Sequence, residues 1–249
     1  MQTILGIDIG GSGVKGALIN IKTGHLIGSR LKIATPQVSS PSNLVSVIED
    51  LVKHFKWRGT IGCTFPGVIV NQIIKTSANL DKSCIGTNLS KLIKEATACP
   101  TWTLNDADAA AHAELSFGSA QNFKGSGLMI TIGTGLGSAL FFNKTLMPNT
   151  ELGHLIMDGK KAEMIASAAA IVRESLSWTD WTKRLNDYLT YVHSLFWPEL
   201  IILGGGVSRD FDQYKHFLDI PARIIPAKFF NHAGIIGAAL SAHKAMRTL

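Results

Sequence analysis

GIDIGGSGVKG, residues 6–16, spells G-x-G-x-x-G across Gly11-Ser12-Gly13-Val14-Lys15-Gly16. A dinucleotide site built on that pattern needs the third glycine to open a helix whose N-terminus faces a pyrophosphate. It also needs an acidic residue about 20 positions later for the ribose hydroxyls. Neither follows here. Gly16 leads into ALINIKTGHLIGSRLKI, two apolar runs separated by the turn signal Lys22-Thr23-Gly24. From Ala17 to Ile48 there is no Asp or Glu, and Glu49 is the first acid. The glycines therefore join two strands of a hairpin, and a dinucleotide-binding domain is excluded.

The segment recurs. ILGIDIGGSGVKGALIN (4–20) aligns without a gap on GLMITIGTGLGSALFFN (127–143), an offset of 123 residues from Ile7 to Ile130. Ile9, Gly10 and Asn20 likewise meet Ile132, Gly133 and Asn143. An offset near half the chain points to duplication of a whole lobe. Glycine in such turns permits positive φ and lets successive N–H groups converge on an anion. The copies differ where charge matters, Asp8 in the first facing Thr131 in the second. A single carboxylate suits one divalent cation; the alternative is an Asp8 that is buried and structurally paired.

Composition bounds the rest. With 249 residues, 46% hydrophobic and 17% charged, a sizeable core is expected and disorder is not. The net charge of +6 favours anionic partners, but no block of five or more like charges marks a nucleic-acid arm. Cys63, Cys84 and Cys99 are odd in number and form no C-x-x-C pair, which argues against disulfides and structural zinc. No apolar run of about 18 residues and no basic-then-apolar leader occurs, so no membrane role and a cytoplasmic location are expected. Coarsely, 1–105 reads as a smaller α/β lobe and 106–232 as a larger one, with 233–249 a helix returning to the first. PSNLVSVIEDLVKHFKW puts Leu44, Val47, Ile48, Leu51, Val52 and Phe55 on one helical face. The Trp178/Trp181/Leu185/Leu189 stripe reads as core or as a dimer interface.

Further segments complete a recognisable order. LNDADAAAHAE (104–114) follows an apolar-ended strand and opens an alanine-rich helix, NTELGH (149–154) follows the second hairpin, and PELIILGGGVS (198–208) is a buried strand entering a glycine turn. Together with TFPGV, ANLDKS and LSWTDW, these motifs make the chain resemble the ROK sugar kinases of the actin/Hsp70/hexokinase superfamily, nearly end to end. LDKS and S-W-x-x-W place the resemblance closest to the polyphosphate glucokinase subgroup. The resemblance implies a duplicated ribonuclease H-like, actin/hexokinase-type α/β fold with two lobes, mixed sheets and a central cleft.

It also implies roles. Asp106 is the expected base, taking the proton of the glucose 6-hydroxyl; the alternative is a helix cap for Ala109. Asp108, two residues on, points away and is expected to stabilise the helix N-terminus. Glu151 and His154 of E-x-G-H, with Asn79 and Asn105, are the expected sugar contacts, offering donors and acceptors to neighbouring hydroxyls. Asp8 would hold Mg²⁺ through water. Gly10, Gly11, Ser12 and Lys15 would line one phosphate turn, and Gly133, Thr134 and Gly135 the other. Gly204, Gly205 and Gly206 are either a nucleotide-side turn or a plain strand-to-helix joint.

There are departures. LIMDGKKAEMIASAAA lacks the cysteines of the zinc loop that most ROK kinases carry, so no zinc is expected, and the replacement for the second sugar glutamate of that loop is not evident from the sequence. Cys84 stands where the subgroup tends to have Trp. IASAAAIV is not basic, which leaves the donor as inorganic polyphosphate, ATP, or both. The expected partners are glucose and a phosphate donor, with a homodimer by family analogy and no nucleic acid. The rival readings are a strictly ATP-dependent hexose kinase and a sugar-sensing repressor. The second would need a DNA-binding domain ahead of Gly6, where only five residues stand.

Overall fold

The computed structural model describes residues 2–247. The chain divides into two compact units, one running to Phe117 and resuming at His232, the other Gly118–Asn231.

The first unit opens with β1 (Thr3–Gly10), β2 (Gly13–Asn20) and β3 (Leu26–Ile33), an antiparallel meander, where the dinucleotide reading would have required a helix. α1 (Pro41–His54) follows, its N-cap Ser40 accepting from the Asn43 N–H and Pro41 starting the first turn. Leu44, Val47, Ile48, Leu51 and Val52 are buried as the periodicity requires. β4 (Ile61–Phe65) is buried at all five positions, the mark of a central parallel strand. A small hairpin, β5 (Ile69–Val70) and β6 (Ile73–Ile74), turns through Asn71 and Gln72, both at positive φ (51° and 62°). After α2 (Leu89–Thr97) come β7 (Thr101–Asn105) and α3 (Asp106–Phe117). The sheet order is β3-β2-β1-β4-β7, with β1, β4 and β7 parallel.

β7 lies at the edge of this sheet, and Gln72 treats it as a partner strand would. Its side-chain oxygen accepts from the Thr103 N–H (3.0 Å) while its amide nitrogen donates to the Thr103 carbonyl (3.1 Å). Cys84 is buried in the same unit, its thiol donating to the Ser39 carbonyl (3.4 Å), and burial pushes that thiol up to about 11.

The second unit repeats the plan. β8 (Ser126–Ile132), β9 (Leu136–Phe142) and β10 (Thr145–Met147) form the meander, and β11 (Ile156–Met157) with β12 (Lys160–Lys161) makes a short hairpin. α4 (Ala162–Ala166), α5 (Ala168–Glu174) and α6 (Trp178–Phe196) follow, then β13 (Leu200–Gly205), α7 (Phe211–Tyr214) and β14 (Arg223–Pro226). The order β10-β9-β8-β13-β14, with β8, β13 and β14 parallel, matches the first sheet strand for strand. The repeat read from the sequence is thus a repeat of sheet topology. The tryptophan stripe is core: Trp181, Leu185, Tyr188 and Leu189 are fully buried, Trp178 stacks on Tyr214 at 5.5 Å, and the Trp181 indole donates to the Ala166 carbonyl (3.1 Å).

The C-terminal helix, Ala233–Ala245, belongs to the first unit; residues 248 and 249 of the expected 233–249 segment lie outside the described residues. It packs at backbone distance. A Cβ on Gly6 would lie 2.1 Å from the Ile235 carbonyl oxygen, one on Gly62 2.0 Å from that of Ala238, and one on Gly237 1.7 Å from that of Ala109. This three-way contact explains why the first unit extends through α3 to Phe117 rather than ending at residue 105: the alanine-rich face of α3 is sealed by this helix. Gly237→Ala is expected to cost about 2 kcal/mol or more through overpacking, read as a lowered midpoint in thermal or urea denaturation; an unchanged midpoint would contradict this packing.

Candidate active site

In the first unit, Asp8 is the cross-strand neighbour of Lys15 on β2 and of Thr64 on β4. The Lys15 ammonium lies 3.1 Å from Asp8 Oδ2, and the pair is largely covered, with 22% and 16% of the two side chains exposed. The Thr64 hydroxyl accepts the Ile9 N–H (3.2 Å) and donates to Asp8 Oδ1 (2.9 Å). Both carboxylate oxygens are thereby fixed in direction. The first turn of the C-terminal helix closes over them, since a Cβ on Gly234 would stand 2.8 Å from Oδ1. The structurally paired Asp8 and the cation-holding Asp8 are therefore compatible: each oxygen keeps lone-pair capacity beyond its one neighbour.

The adjoining turn is short. Gly10 pairs with Gly13, leaving only Gly11 and Ser12 in the bend, and the Thr35 hydroxyl donates to the Gly10 carbonyl. Asn79 stands beside it, its Cβ 3.5 Å from where a Cβ of Gly11 would be. Neither this turn nor Gly133–Gly135 has a glycine at positive φ. A Cβ would crowd Lys32 at Gly13 and Glu163 at Gly135, but would meet nothing within 4 Å at Gly133.

β7 hands directly to α3, and the cap of that helix is Asn105. Its side-chain oxygen accepts from the N–H groups of Ala107 (2.8 Å) and Asp108 (3.1 Å), and its amide donates to the Gly67 carbonyl (3.1 Å). Asn105 is 5% exposed, so its side-chain carbonyl is spent on the fold, which narrows its expected sugar contact to the remaining amide hydrogen. Asp106 is the first residue of the helix, half-buried, with Oδ1 accepting from the Ala107 N–H (2.9 Å). Asp108 is buried on the same first turn.

In the second unit the E-x-G-H segment is clamped to β9. The buried Ser138 hydroxyl donates to the Thr150 carbonyl (2.7 Å) and accepts the Leu152 N–H (2.9 Å), while the Thr150 hydroxyl donates to the Ser138 carbonyl (2.8 Å). Gly153 passes so close that a Cβ would lie 2.2 Å from the Leu136 carbonyl oxygen. A 3₁₀ turn, Leu152–His154, then presents Glu151 and His154 on one side, with Glu151 Oε2 3.8 Å from His154 Nδ1. Asp158 and Gly159, at φ 49° and 74°, turn the β11–β12 hairpin and return the chain. That return brings Glu163 to His154: Oε1 lies 3.5 Å from Nε2 and 3.7 Å from the Lys161 ammonium.

Glu163 was not singled out in the sequence, yet it supplies the second carboxylate beside His154. The available signal was the Asp-Gly turn, which reverses the chain and returns the next acid to the motif. Burial, with Glu163 nearby, holds the Glu151 carboxyl above the usual glutamate range, against the opposing pull of His154 and Lys161. Gly133 donates its N–H to the Gly135 carbonyl (3.0 Å), closing the second turn on itself. Gly205 sits at φ 80° and a Cβ there would strike the Ile132 carbonyl at 2.2 Å; a Cβ on Gly204 would meet Met129. Those two glycines serve packing, and Gly206 is the open position of the three. Among the described residues, no group of three or more His, Cys, Asp and Glu is disposed to hold a metal ion, and no helix is long and apolar enough to cross a membrane.

The chain is 44% identical over 239 residues to a polyphosphate glucokinase of Mycobacterium tuberculosis, covering 95% of this chain and 89% of that protein. It is 40% identical over 237 residues to one from Mycobacterium leprae, covering 95% and 73%. The inorganic polyphosphate/ATP-glucomannokinase from Arthrobacter sp. strain KM superposes with a TM-score of 0.95 at 40% identity, over 98% of this chain and all of that one. A ROK family glucokinase from Streptomyces griseus, solved with glucose and AMPPNP, shares the fold at TM-score 0.85 and 21% identity, over 97% and 99% of the two chains. The ROK family model matches residues 4–178. With glycine turns, a capped Asp106 and a clamped E-x-G-H all in place along it, the chain belongs to the ROK family.

Proposed function

We propose that this chain is a glucokinase that transfers the terminal phosphoryl group of inorganic polyphosphate to the 6-hydroxyl of glucose. The observation that carries the reading is its 44% identity, over nearly its whole length, to a protein named polyphosphate glucokinase. Asp106 accepts the hydroxyl proton as that oxygen attacks the terminal phosphorus; the bridging P–O bond breaks and the donor leaves one phosphate shorter. Glu151, His154 and Glu163 hold sugar hydroxyls, with Asn79 and the free amide hydrogen of Asn105 as further contacts. Gly10, Gly11, Ser12 and Lys15 face the donor, as do the amides of Thr134 and Gly135. Gly204 and Gly205 shape the neighbouring joint.

Asp8 fits Mg²⁺. It is an oxygen ligand whose direction is set by Thr64 and Lys15 and whose partial cover suits a hydrated ion. When bound, the ion neutralises charge on the donor phosphates. ATP is a second donor, in line with the naming of the Arthrobacter relative. A cytoplasmic location follows the expectation from composition, and a homodimer follows the family resemblance.

A coupled assay for glucose 6-phosphate, with polyphosphate and ATP at equal phosphate concentration, tests the reading. Turnover with polyphosphate is expected, and turnover with ATP alone would replace it by the ATP-dependent kinase. Asp106→Asn should lower kcat by about 10²–10⁴-fold while glucose affinity changes little; near-normal kcat would remove the base assignment. Glu151 accepts hydrogen bonds best when ionised, so its contribution is present above its elevated pKa and lost as pH falls through it. The KM for glucose should therefore rise from neutral pH toward about pH 5, and Glu151→Gln should raise KM at every pH and flatten that rise. A KM independent of pH in the native enzyme would contradict the role.

A further inference from the structure

Gly135 belongs to the second glycine turn, but the space its missing side chain leaves is occupied by the Glu163 carboxylate. A Cβ at Gly135 would stand 2.6 Å from Glu163 Oε2, and the other oxygen of the same carboxylate faces His154 at 3.5 Å. Its neighbour Gly133 differs, with nothing within 4 Å of a Cβ there. Gly135 is not at positive φ, so the backbone gives no reason of its own for glycine.

We infer that Gly135 is a positioning residue for the sugar, acting through Glu163, and not only part of the donor turn. The chemistry is simple. An alanine at this position keeps the amide that faces the donor, and Gly135 is not among the glycines at positive φ. The only atom it obstructs is the end of a flexible side chain. The carboxylate must therefore yield while the turn stays, and as it swings away from Gly135 it leaves the line between His154 and the sugar hydroxyls. Lys161, 3.7 Å from Oε1, offers the displaced carboxylate an alternative partner at the outer side. One methyl group on the phosphate turn thus changes hexose recognition.

This inference rests on the assignment of glucose to the Glu151, His154 and Glu163 cluster, and the test separates the two. Glucose binding is measured by titration calorimetry on the full chain, without donor, for the native protein, Gly135→Ala, Glu163→Ala and the double variant. Gly135→Ala should fold with an unchanged circular dichroism spectrum and bind glucose about tenfold more weakly, the scale of one charged hydrogen bond. Added to Glu163→Ala, the same change should cost less than about twofold, because the group through which it acts is gone. In steady-state assays of Gly135→Ala, KM for glucose should rise. Equal glucose affinity in Gly135→Ala and the native chain, a rise confined to the donor KM, additive losses in the double variant, or loss of fold would each overturn the inference alone. A native chain that binds no glucose would overturn the functional reading on which it stands.

Discussion

The first unit depends on the distance between a helix and the strands beneath it. Gly6, Gly62 and Gly237 let the C-terminal helix approach until its backbone touches that of β1, β4 and α3. At such separations any side chain would meet a carbonyl oxygen, which cannot give way without moving a strand or helix. The same three elements carry Asp8, Thr64 and Asp106. Their relative placement is thus fixed by rigid backbone contact, whereas long side chains in the same roles would keep rotamer freedom and blur it. The helix begins with Gly234 against Asp8, so the element that fixes the scaffold also trims the surroundings of the carboxylate.

The second unit reaches comparable definition by polar means. Ser138 and Thr150 exchange hydrogen bonds across the start of the E-x-G-H segment, and the Leu152 amide adds another. A loop held on both sides of Glu151, at Thr150 and Leu152, gives the 3₁₀ turn little freedom, so Glu151 and His154 face one direction before any ligand arrives. The hairpin through Asp158 and Gly159 does for Glu163 what sequence proximity does for Glu151. Two carboxylates and an imidazole are gathered from a stretch of only 13 residues, 151–163.

Much of this was legible in the sequence, because strands, turns and repeats leave periodic traces. The absence of acids after Gly16 identified a hairpin, and the 123-residue offset became two sheets of identical strand order. Contacts between residues far apart in the chain left no such trace. Asn105 was read from the sequence as a sugar contact alone; the fold adds its role as a helix cap, accepting from the Ala107 and Asp108 N–H groups, and ties its amide to the distant Gly67 carbonyl. Glu163 went unnoticed because its place beside His154 depends on the chain reversal at Asp158-Gly159, not on its own neighbours in sequence. Positive φ was the expected reason for the glycines of both turns, and none of them adopts it; at Gly13 and Gly135 the constraint is space, which composition cannot reveal. Thr64 was seen only as part of TFPGV, while its buried hydroxyl in fact links β4 to Asp8.

Gln72 has a consequence beyond its own turn. An outermost strand exposes amide and carbonyl groups that can recruit a strand from another molecule, the usual start of sheet-driven aggregation. At Thr103 both groups are already taken by a side chain that imitates the next rung. A foreign strand would have to displace a glutamine that is also held by the Ser90 hydroxyl (2.6 Å) before it could dock in register. The margin of the first sheet is thereby shielded at its middle, which favours persistence of the protein as a dispersed species at high concentration.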